Sequence, residues 1–395
     1  MRRFIVIMLI LMFWATFAYA RPTVHKIAHK KTQKAPTQEK VAPYKAFIVT
    51  EAVTGKMLEG ENIHERRPPA SVTKLMLAYV VIDKLNRKEI NLTDKIVTSK
   101  EASKIGGSQV YLKEGETFTL EEIMKAVLVA SGNDAAYAVA EFVAGSKDAF
   151  VRLMNEKAKA LGMNDTEFNS VHGLPPSKGD KEDLSSCHDL AILARELLKY
   201  PKILEWTSIA TEGFRDGKFI MNNHNKLLTK MPGVVDGLKT GYYRETGFNV
   251  VATGKKGELR FIVVVLGSPS AKIRDEVAIE KFKKAFSQYK VINVVKKGEV
   301  IDKDIFLIDG KYRKIKGVVN SSFSYPVPYD KKDSIKKEIN VQEKVKGEVR
   351  EGQKLGEVIV KFGDDIIARI DIVSPVHIPK ANLFTRFIRR MGLNI

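Results

Sequence analysis

Strand patterns open and close one long stretch of this chain, and helical patterns fill its middle. Residues 46–49 (Ala-Phe-Ile-Val) form an apolar run, Thr54-Gly55 supplies turn chemistry, and Lys56-Met57-Leu58 returns. Much later, residues 249–253 and 259–266 read as strands again. Between them, residues 70–87 carry Leu75, Leu77, Val80, Val81 and Leu85 at helical spacing, and residues 120–145, 147–162 and 184–200 follow the same period. Residues 280–289 close the unit as a helix. This order predicts an α+β fold: an antiparallel sheet flanked by helices and carrying an all-helical insertion.

The flanks differ in texture. Residues 1–20 read as an export signal, with Arg2 and Arg3 before an apolar run from Phe4 to Phe17 and a small-x-small end at Ala18-Tyr19-Ala20. The run is short for a membrane-spanning helix, which favours cleavage after Ala20. Residues 21–42, with Lys26, Lys30, Lys31, Lys34 and Lys40, are expected to be a basic solvated linker. The main unit then occupies residues 43–289. Residues 290–373 hold short apolar runs at 305–308, 314–319 and 357–361 between Gly- and Asp-bearing turns, the pattern of a small all-β domain. Residues 374–395 place Phe384, Phe387, Ile388, Met391 and Ile395 on one helical face, with Lys380, Arg386, Arg389 and Arg390 on or beside the other. An amphipathic helix lying on an anionic membrane surface through residues 376–395 is expected.

Charge narrows the partners. The formal net charge of +19 falls to +17 once Arg2 and Arg3 leave with the signal. A basic surface suits nucleic acid, anionic lipid or an acidic polymer, and export makes nucleic acid the poorest of the three. Cys187 is the only cysteine, so no intramolecular disulfide exists, and its expected role is that of a small buried filler.

Three short motifs carry the chemistry. Ser71 and Lys74, in Pro69-Ala70-Ser71-Val72-Thr73-Lys74, are almost one helical turn apart. Their Cβ atoms should therefore be neighbours on one face. A serine hydroxyl needs a base close by, and an amine can serve if burial or a second cation lowers its pKa. The spacing alone is weak, because it recurs at Ser287–Lys290 and Ser334–Lys337. Ser131-Gly132-Asn133 puts a polar corner inside an apolar region. Lys239-Thr240-Gly241 opens the late strand region; a strand edge bearing a cation, a hydroxyl and a glycine can take an extended peptide and hold its terminal carboxylate.

The ordered set resembles the penicillin-binding and serine β-lactamase superfamily, for which S-x-x-K, S-D-N and K-T-G are known signatures. It is most similar to the low-molecular-mass D-Ala-D-Ala carboxypeptidases. The resemblance rests on the Ser71 and Lys74 motif, Ala130-Ser131-Gly132-Asn133-Asp134-Ala135-Ala136, His172-Gly173-Leu174 and Asp236-Gly237-Leu238-Lys239-Thr240-Gly241. It covers residues 43–290, and the trailing β-rich part and amphipathic end match the family layout. One departure is Ser268-Pro269-Ser270 after Gly267, where some members carry an arginine.

The resemblance implies that Ser71 attacks the carbonyl between two D-Ala residues of a peptidoglycan stem peptide while Lys74 takes its proton. Ser131, with Lys239 nearby, would return a proton to the leaving D-Ala. Asn133 would orient Lys74 and hold the stem-peptide amide. Lys239 and Thr240 would bind the terminal carboxylate, and Gly241 would leave room for the substrate's backbone. Backbone N–H groups of Ser71 and Tyr242 would stabilise the oxyanion. β-Lactam antibiotics would acylate Ser71, and the protein would act outside the cytoplasmic membrane, attached to its outer face. No cofactor or metal is expected; the seven histidines form no H-E-x-x-H motif, and His172 reads as a turn residue. Two rivals remain at this stage. A β-lactamase would need a deacylating base such as Glu182, and a non-catalytic wall-binding protein would leave the three motifs without a purpose.

Overall fold

A computed structural model describes residues 42–391. The expected export signal and almost all of the expected linker lie outside the described residues, as does Ile395. The centre is a five-stranded antiparallel sheet of β1 (Ala46–Glu51), β2 (Met57–Glu61), β3 (Val235–Tyr243), β4 (Gly247–Lys256) and β5 (Leu259–Ser268), ordered β2-β1-β5-β4-β3. β1 thus pairs with a strand more than two hundred residues later, as the sequence pattern predicts, and β2 forms the edge beyond it.

Strand periodicity explains the layers. Ala46 and Ile48 face one side of β1, with Val251, Ile262, Val264 and Leu266 from β4 and β5. Phe47 and Val49 face the other, with Val250, Ala252, Phe261, Val263 and Val265. Because side chains alternate along a strand, two covered faces demand an uninterrupted apolar run. One cover is the long helix α6; the other is the insertion.

The insertion contributes α1 (Lys74–Asn86), α2 (Leu120–Leu128), α3 (Asn133–Ala144), α4 (Lys147–Ala160) and α5 (Cys187–Leu197). In α1 every residue from Lys74 to Ile82 is buried, so it is the hub of the insertion, apolar all round and not on a single face. The helical pattern over 120–145 resolves into two helices. Thr119 caps α2 with a reciprocal Glu122 box, and the chain breaks at Ser131, whose φ is 60°. The pattern over 184–200 starts later than expected, because Ser186 caps α5 and Leu184 and Ser185 instead bridge to Glu167 and Arg67. Cys187 is buried in the core, as a filler would be.

The helix expected over 280–289 is α6 (Ala271–Gln288), nine residues longer at its start. Ser270 caps it by accepting from the Ile273 N–H. Its buried face includes Arg274, Asp275 and Lys281, so charge conceals the apolar period there. Each of the three is paired: Arg274 with Asp275, Asp275 with Lys230, and Lys281 with Glu59.

Beyond α6 the chain is β-rich. One sheet pairs Tyr289–Val295 with Phe323–Pro328; another is built on Ile335–Val341, Lys354–Phe362 and Asp365–Val373. Two small apolar cores fill this part. Lys56, in the turn before β2, lies over the Phe362 ring at 4.3 Å and the Tyr325 ring at 5.3 Å. The helix expected over 374–395 begins at Leu383 (α7, Leu383–Arg390). Before it, Ile378 pairs with Val349 and is buried in one of the β-rich cores. Among the described residues no helix is long and apolar enough to cross a membrane.

Candidate active site

Ser71 lies in a single 3-10 turn (Ala70–Thr73) that runs directly into α1. Two braces fix this turn. From the sheet, Thr246 Oγ1 and Asn249 Nδ2 donate to the Pro68 carbonyl at 2.6 and 3.0 Å. From the loop after α4, Gly173 backs onto Ala70; a Cβ on Gly173 would stand 2.0 Å from the Ala70 carbonyl oxygen, and its φ is 78°. Ala70 itself has a φ of 51°, a left-handed conformation that a non-glycine residue keeps only when its surroundings enforce it.

The S-x-x-K spacing delivers what helical geometry promises. Lys74 is fully buried, and its Nζ lies 3.1 Å from Ser71 Oγ, 2.7 Å from Asn133 Oδ1 and 2.7 Å from the His172 carbonyl oxygen. Asn133 is held for this task, since its Nδ2 donates to the Gly106 carbonyl. Its neighbour Asp134 accepts from the backbone N–H groups of Val110 and Leu112, which ties the 106–112 loop to the Ser131 corner. Ser131 is buried in that corner, one residue before the glycine that caps α3.

The third motif arrives on β3. Gly241 is the point of closest approach: a Cβ there would lie 2.4 Å from the Pro69 carbonyl oxygen and 3.0 Å from the Ser71 nitrogen. Only glycine lets β3 run alongside the Ser71 turn. Lys239 and Thr240 are buried, and Lys239 Nζ donates to the Thr240 carbonyl at 3.0 Å. Tyr242 is exposed and stacks on Phe248, with ring centroids 4.0 Å apart. The eight residues predicted from sequence therefore fall on three elements that converge at Ser71.

Comparison with known proteins agrees with this geometry. Residues 30–270 match the family model described as D-alanyl-D-alanine carboxypeptidase. The chain belongs to this family. Residues 289–380 match a second model, the C-terminal domain of penicillin-binding protein 5. The D-alanyl-D-alanine carboxypeptidase DacF of Bacillus subtilis is 35% identical over 360 residues, which cover 90% of this chain and 91% of the relative. A crystal structure of PBP3 from Streptococcus pneumoniae superposes with a TM-score of 0.74 at 27% identity, covering 85% of this chain and 99% of that one. Penicillin-binding protein D2 from Listeria monocytogenes, in its ampicillin-bound form, superposes at 0.56 with 29% identity over 62% of this chain and 97% of that one. The protein is a serine-type D-Ala-D-Ala carboxypeptidase acting on peptidoglycan. A wall-binding protein without catalysis is thereby set aside.

In this carboxypeptidase the cations of the site are buried and their bonds go to neutral oxygens. Burial is the largest force holding Lys74 well below the ordinary lysine range; the charge of Lys239 adds to it, and Asp183 and Asp134 oppose it. Lys239 is brought down to about 7, first by burial and then by the Arg274 guanidinium. A neutral amine has two N–H donors and one lone pair. With Asn133 Oδ1 and the His172 carbonyl able only to accept, the lone pair of Lys74 is left for the Ser71 hydroxyl. Ser71 can then donate its proton along the 3.1 Å contact.

Three contributors were not legible as site residues. The His172 carbonyl is a backbone group; its ring, pulled down to about 3 by burial and by Lys74, stays neutral. Arg274 supplies a buried cation close enough to shift Lys239, from the first turn of α6 and not from 268–270, where some family members carry their arginine. Asp183 accepts from Thr73 Oγ1, Ser170 Oγ and the backbone N–H groups of Asn169 and Ser170, so it binds the loop carrying His172 to the Ser71 turn. The Glu182 carboxylate, the β-lactamase-like candidate, bonds the Tyr243 hydroxyl.

Proposed function

We propose that Ser71 is the residue acylated in this carboxypeptidase, with Lys74 as its base. Ser71 Oγ attacks the carbonyl carbon of the penultimate D-Ala, and the hydroxyl proton passes to Lys74 Nζ. Backbone N–H groups of Ser71 and Tyr242 receive the developing oxyanion. Collapse breaks the peptide bond, and the departing D-Ala amine takes a proton relayed through Ser131. Water then cleaves the ester and restores the Ser71 hydroxyl. Asn133 orients Lys74, while Lys239, Thr240 and Gly241 receive the substrate's terminal carboxylate.

The observation that carries this reading is the set of contacts around Lys74 Nζ: Ser71 Oγ and two acceptor-only oxygens. β-Lactams should acylate the same serine, as their carbonyl and carboxylate mimic the D-Ala-D-Ala terminus. The test is peptide mapping by mass after benzylpenicillin treatment, alongside D-Ala release from a stem pentapeptide. One long-lived adduct on the Ser71 peptide is expected. An adduct on another serine, or fast turnover of the antibiotic, would overturn the assignment.

The reading extends to place and layout. Residues 1–20 would direct export and 21–42 would act as a spacer. Residues 43–289 form the peptidase unit, 290–373 the β-rich unit, and the end of the chain anchors the enzyme to the outer face of the cytoplasmic membrane. Support for the anchor comes from exposure: Leu383, Phe384, Phe387 and Met391 are 81, 70, 63 and 62% exposed on and just after one short helix.

A further inference from the structure

The carboxypeptidase site uses neither His64 nor His188, yet these two meet at the first turn of α5. His64 follows β2, Asp165 lies in the loop after α4, and His188 is the second residue of α5. One donor atom from each of these three side chains lies within 4.8 Å of the others. His64 Nδ1 is 2.8 Å from Asp165 Oδ2, and the two imidazole rings sit 4.6 Å apart at 41°. We propose that His64, Asp165 and His188 form a binding site for one divalent transition ion of the zinc class, completed by water.

The donor set and its spacing fit that chemistry. Two imidazoles and a carboxylate are borderline-soft N2O ligands, suited to zinc, cobalt or nickel and not to magnesium or calcium. Bonds of 2.0–2.2 Å in a tetrahedron put donor atoms roughly 3.3 Å apart. The observed separations bracket this value, so inserting an ion asks for rotations of about an ångström. His64 is 62% exposed and can make that rotation, and its exposure gives the ion a way in from solvent.

The frame around the donors is already built. Asp189 is buried; its Oδ1 lies 3.2 Å from His188 Nδ1, while its Oδ2 accepts from the Asp165 N–H at 2.8 Å and Thr166 Oγ1 at 2.7 Å. A carboxylate on Nδ1 fixes the tautomer that leaves Nε2 free for a metal, the outer-shell arrangement that metal-binding histidines commonly have. Asp165 Oδ2 also accepts from Ser186 Oγ at 2.9 Å. The His188 N–H donates to the Ile63 carbonyl at 2.9 Å, which holds the two histidine-bearing segments together before any ion arrives. Beside the donors opens a cavity of about 340 Å³ lined in part by both histidines, Ile192, Arg195 and Glu196.

Such an ion would act as a clip and take no part in acyl transfer. It would join the segment after β2, the loop after α4 and the start of α5. The same segments pair through Arg67 with Ser185 and Glu167 with Leu184. Asp183, which holds Thr73 and Ser170, is one residue from that pairing. The ion's measurable effect is therefore on unfolding, with turnover unaffected.

The test uses the full chain freed of metal by chelator dialysis. Cobalt(II) should give a visible d–d spectrum that saturates at one equivalent and is abolished by zinc, and zinc should raise the melting temperature. His64→Ala and His188→Ala should each remove the spectrum and the zinc-dependent melting shift. Asp189→Asn, acting through His188, should weaken the metal roughly 10–100-fold. Benzylpenicillin acylation should stay at the wild-type rate in His64→Ala, whose side chain is exposed and whose fold is the least at risk. Absence of a one-equivalent cobalt spectrum in the wild type, or its survival in either histidine variant, would overturn the site. Loss of acylation in His64→Ala would instead count against the clip role.

Discussion

The peptidase unit and the β-rich end of the chain handle positive charge in opposite ways. Around Ser71, Lys74 and Lys239 are buried, bond only neutral oxygens, and are driven below the ordinary lysine range. In the β-rich part, Lys316 and Lys354 sit against Asp302 and Asp371 at the surface and are driven above it. The same contrast separates the three S-x-x-K repeats. Only at Ser71 does the lysine reach the serine hydroxyl. Ser287 Oγ donates to the Lys284 carbonyl, and Lys337 Nζ donates to the Val294 carbonyl, with Glu299 3.8 Å away. Spacing brings a serine and a lysine to one face; burial without a paired carboxylate is what lowers the lysine's pKa, as the proposed base role requires.

Ser71→Ala should have the strongest consequence. D-Ala release and penicillin labelling should fall by roughly 10^4–10^6-fold, the scale seen when a serine nucleophile is removed. The melting temperature should change little. Labelling that persists at Ser287 or Ser334 would mean that burial is not the deciding difference. Next in size is Lys74→Arg. It keeps a cation of similar length but cannot act as a base, and acylation should drop roughly 10^2–10^4-fold. An active Arg variant, measured by the acylation rate constant, would remove Lys74 from the base role.

The pH profile sharpens the same point. Acylation needs Lys74 without its proton, so the rate rises on the acid side as Lys74 loses it. Carboxylate binding needs Lys239 with its proton, so kcat/KM should fall as pH passes about 7. A bound carboxylate raises the Lys239 pKa, and the falling limb of kcat should therefore lie at higher pH than that of kcat/KM. Coincident limbs would argue against Lys239 as the carboxylate's partner. Stability should respond in the other sense. Lys239's folded pKa lies below its unfolded value of ~10.4. The unfolded chain then holds a proton that the folded one has released between about 7 and ~10.4, so stability climbs with pH across that window. Lys239→Met should impair turnover yet stabilise the fold by up to roughly 4 kcal/mol near neutral pH. The gain should shrink toward pH 10, as followed by urea unfolding.

Much of this site was legible in the sequence because the three motifs are local: Lys74 reaches Asn133 through side chains, and Gly241 meets the Ser71 turn through its backbone. Ser71 and Lys74 need only a helical turn, and Gly241 needs only a strand that must pass close. The rest was hidden for physical reasons. The His172 carbonyl is carried by every residue type, so no side chain announces it. Asn249 and Asp183 act on groups 181 and 110 positions away in sequence. Arg274 lies on the buried face of α6, where charged residues broke the apolar period and hid nine residues of helix. Both strand ends of the sheet were legible because two covered faces force continuous apolar runs. The tail was legible as amphipathic, but not the way it is turned.

That orientation sets the last and smallest effect on catalysis. In α7 Arg386 and Arg389 face the protein: Arg386 Nε is 3.3 Å from Asp309 Oδ1, and Arg389 Nη1 donates to the Gly310 carbonyl at 2.7 Å. Leu383, Phe384, Phe387 and Met391 face outward. A helix docked to complete a core would do the reverse. If each outward side chain gains ~1.5 kcal/mol on partial burial in lipid, the four together contribute roughly 6 kcal/mol. That is enough for reversible attachment and no more. Since Arg386 and Arg389 already have partners, anionic lipid should add less than the ~1 kcal/mol per free arginine expected at a membrane surface. Removal should begin at Leu383 and not at 376, because Ile378 and Ala381 are buried in the β-rich part. The truncated enzyme should acylate with benzylpenicillin at the wild-type rate and stay in the supernatant when vesicles are sedimented. Phe384→Ser with Phe387→Ser should release most of the bound protein, and 0.5 M salt, an ionic strength that screens charge beyond about 5 Å, should release only a minor part. If salt frees the protein as fully as the double serine variant does, the arginines carry the attachment, and the two regions of the molecule treat charge more alike than the structure implies.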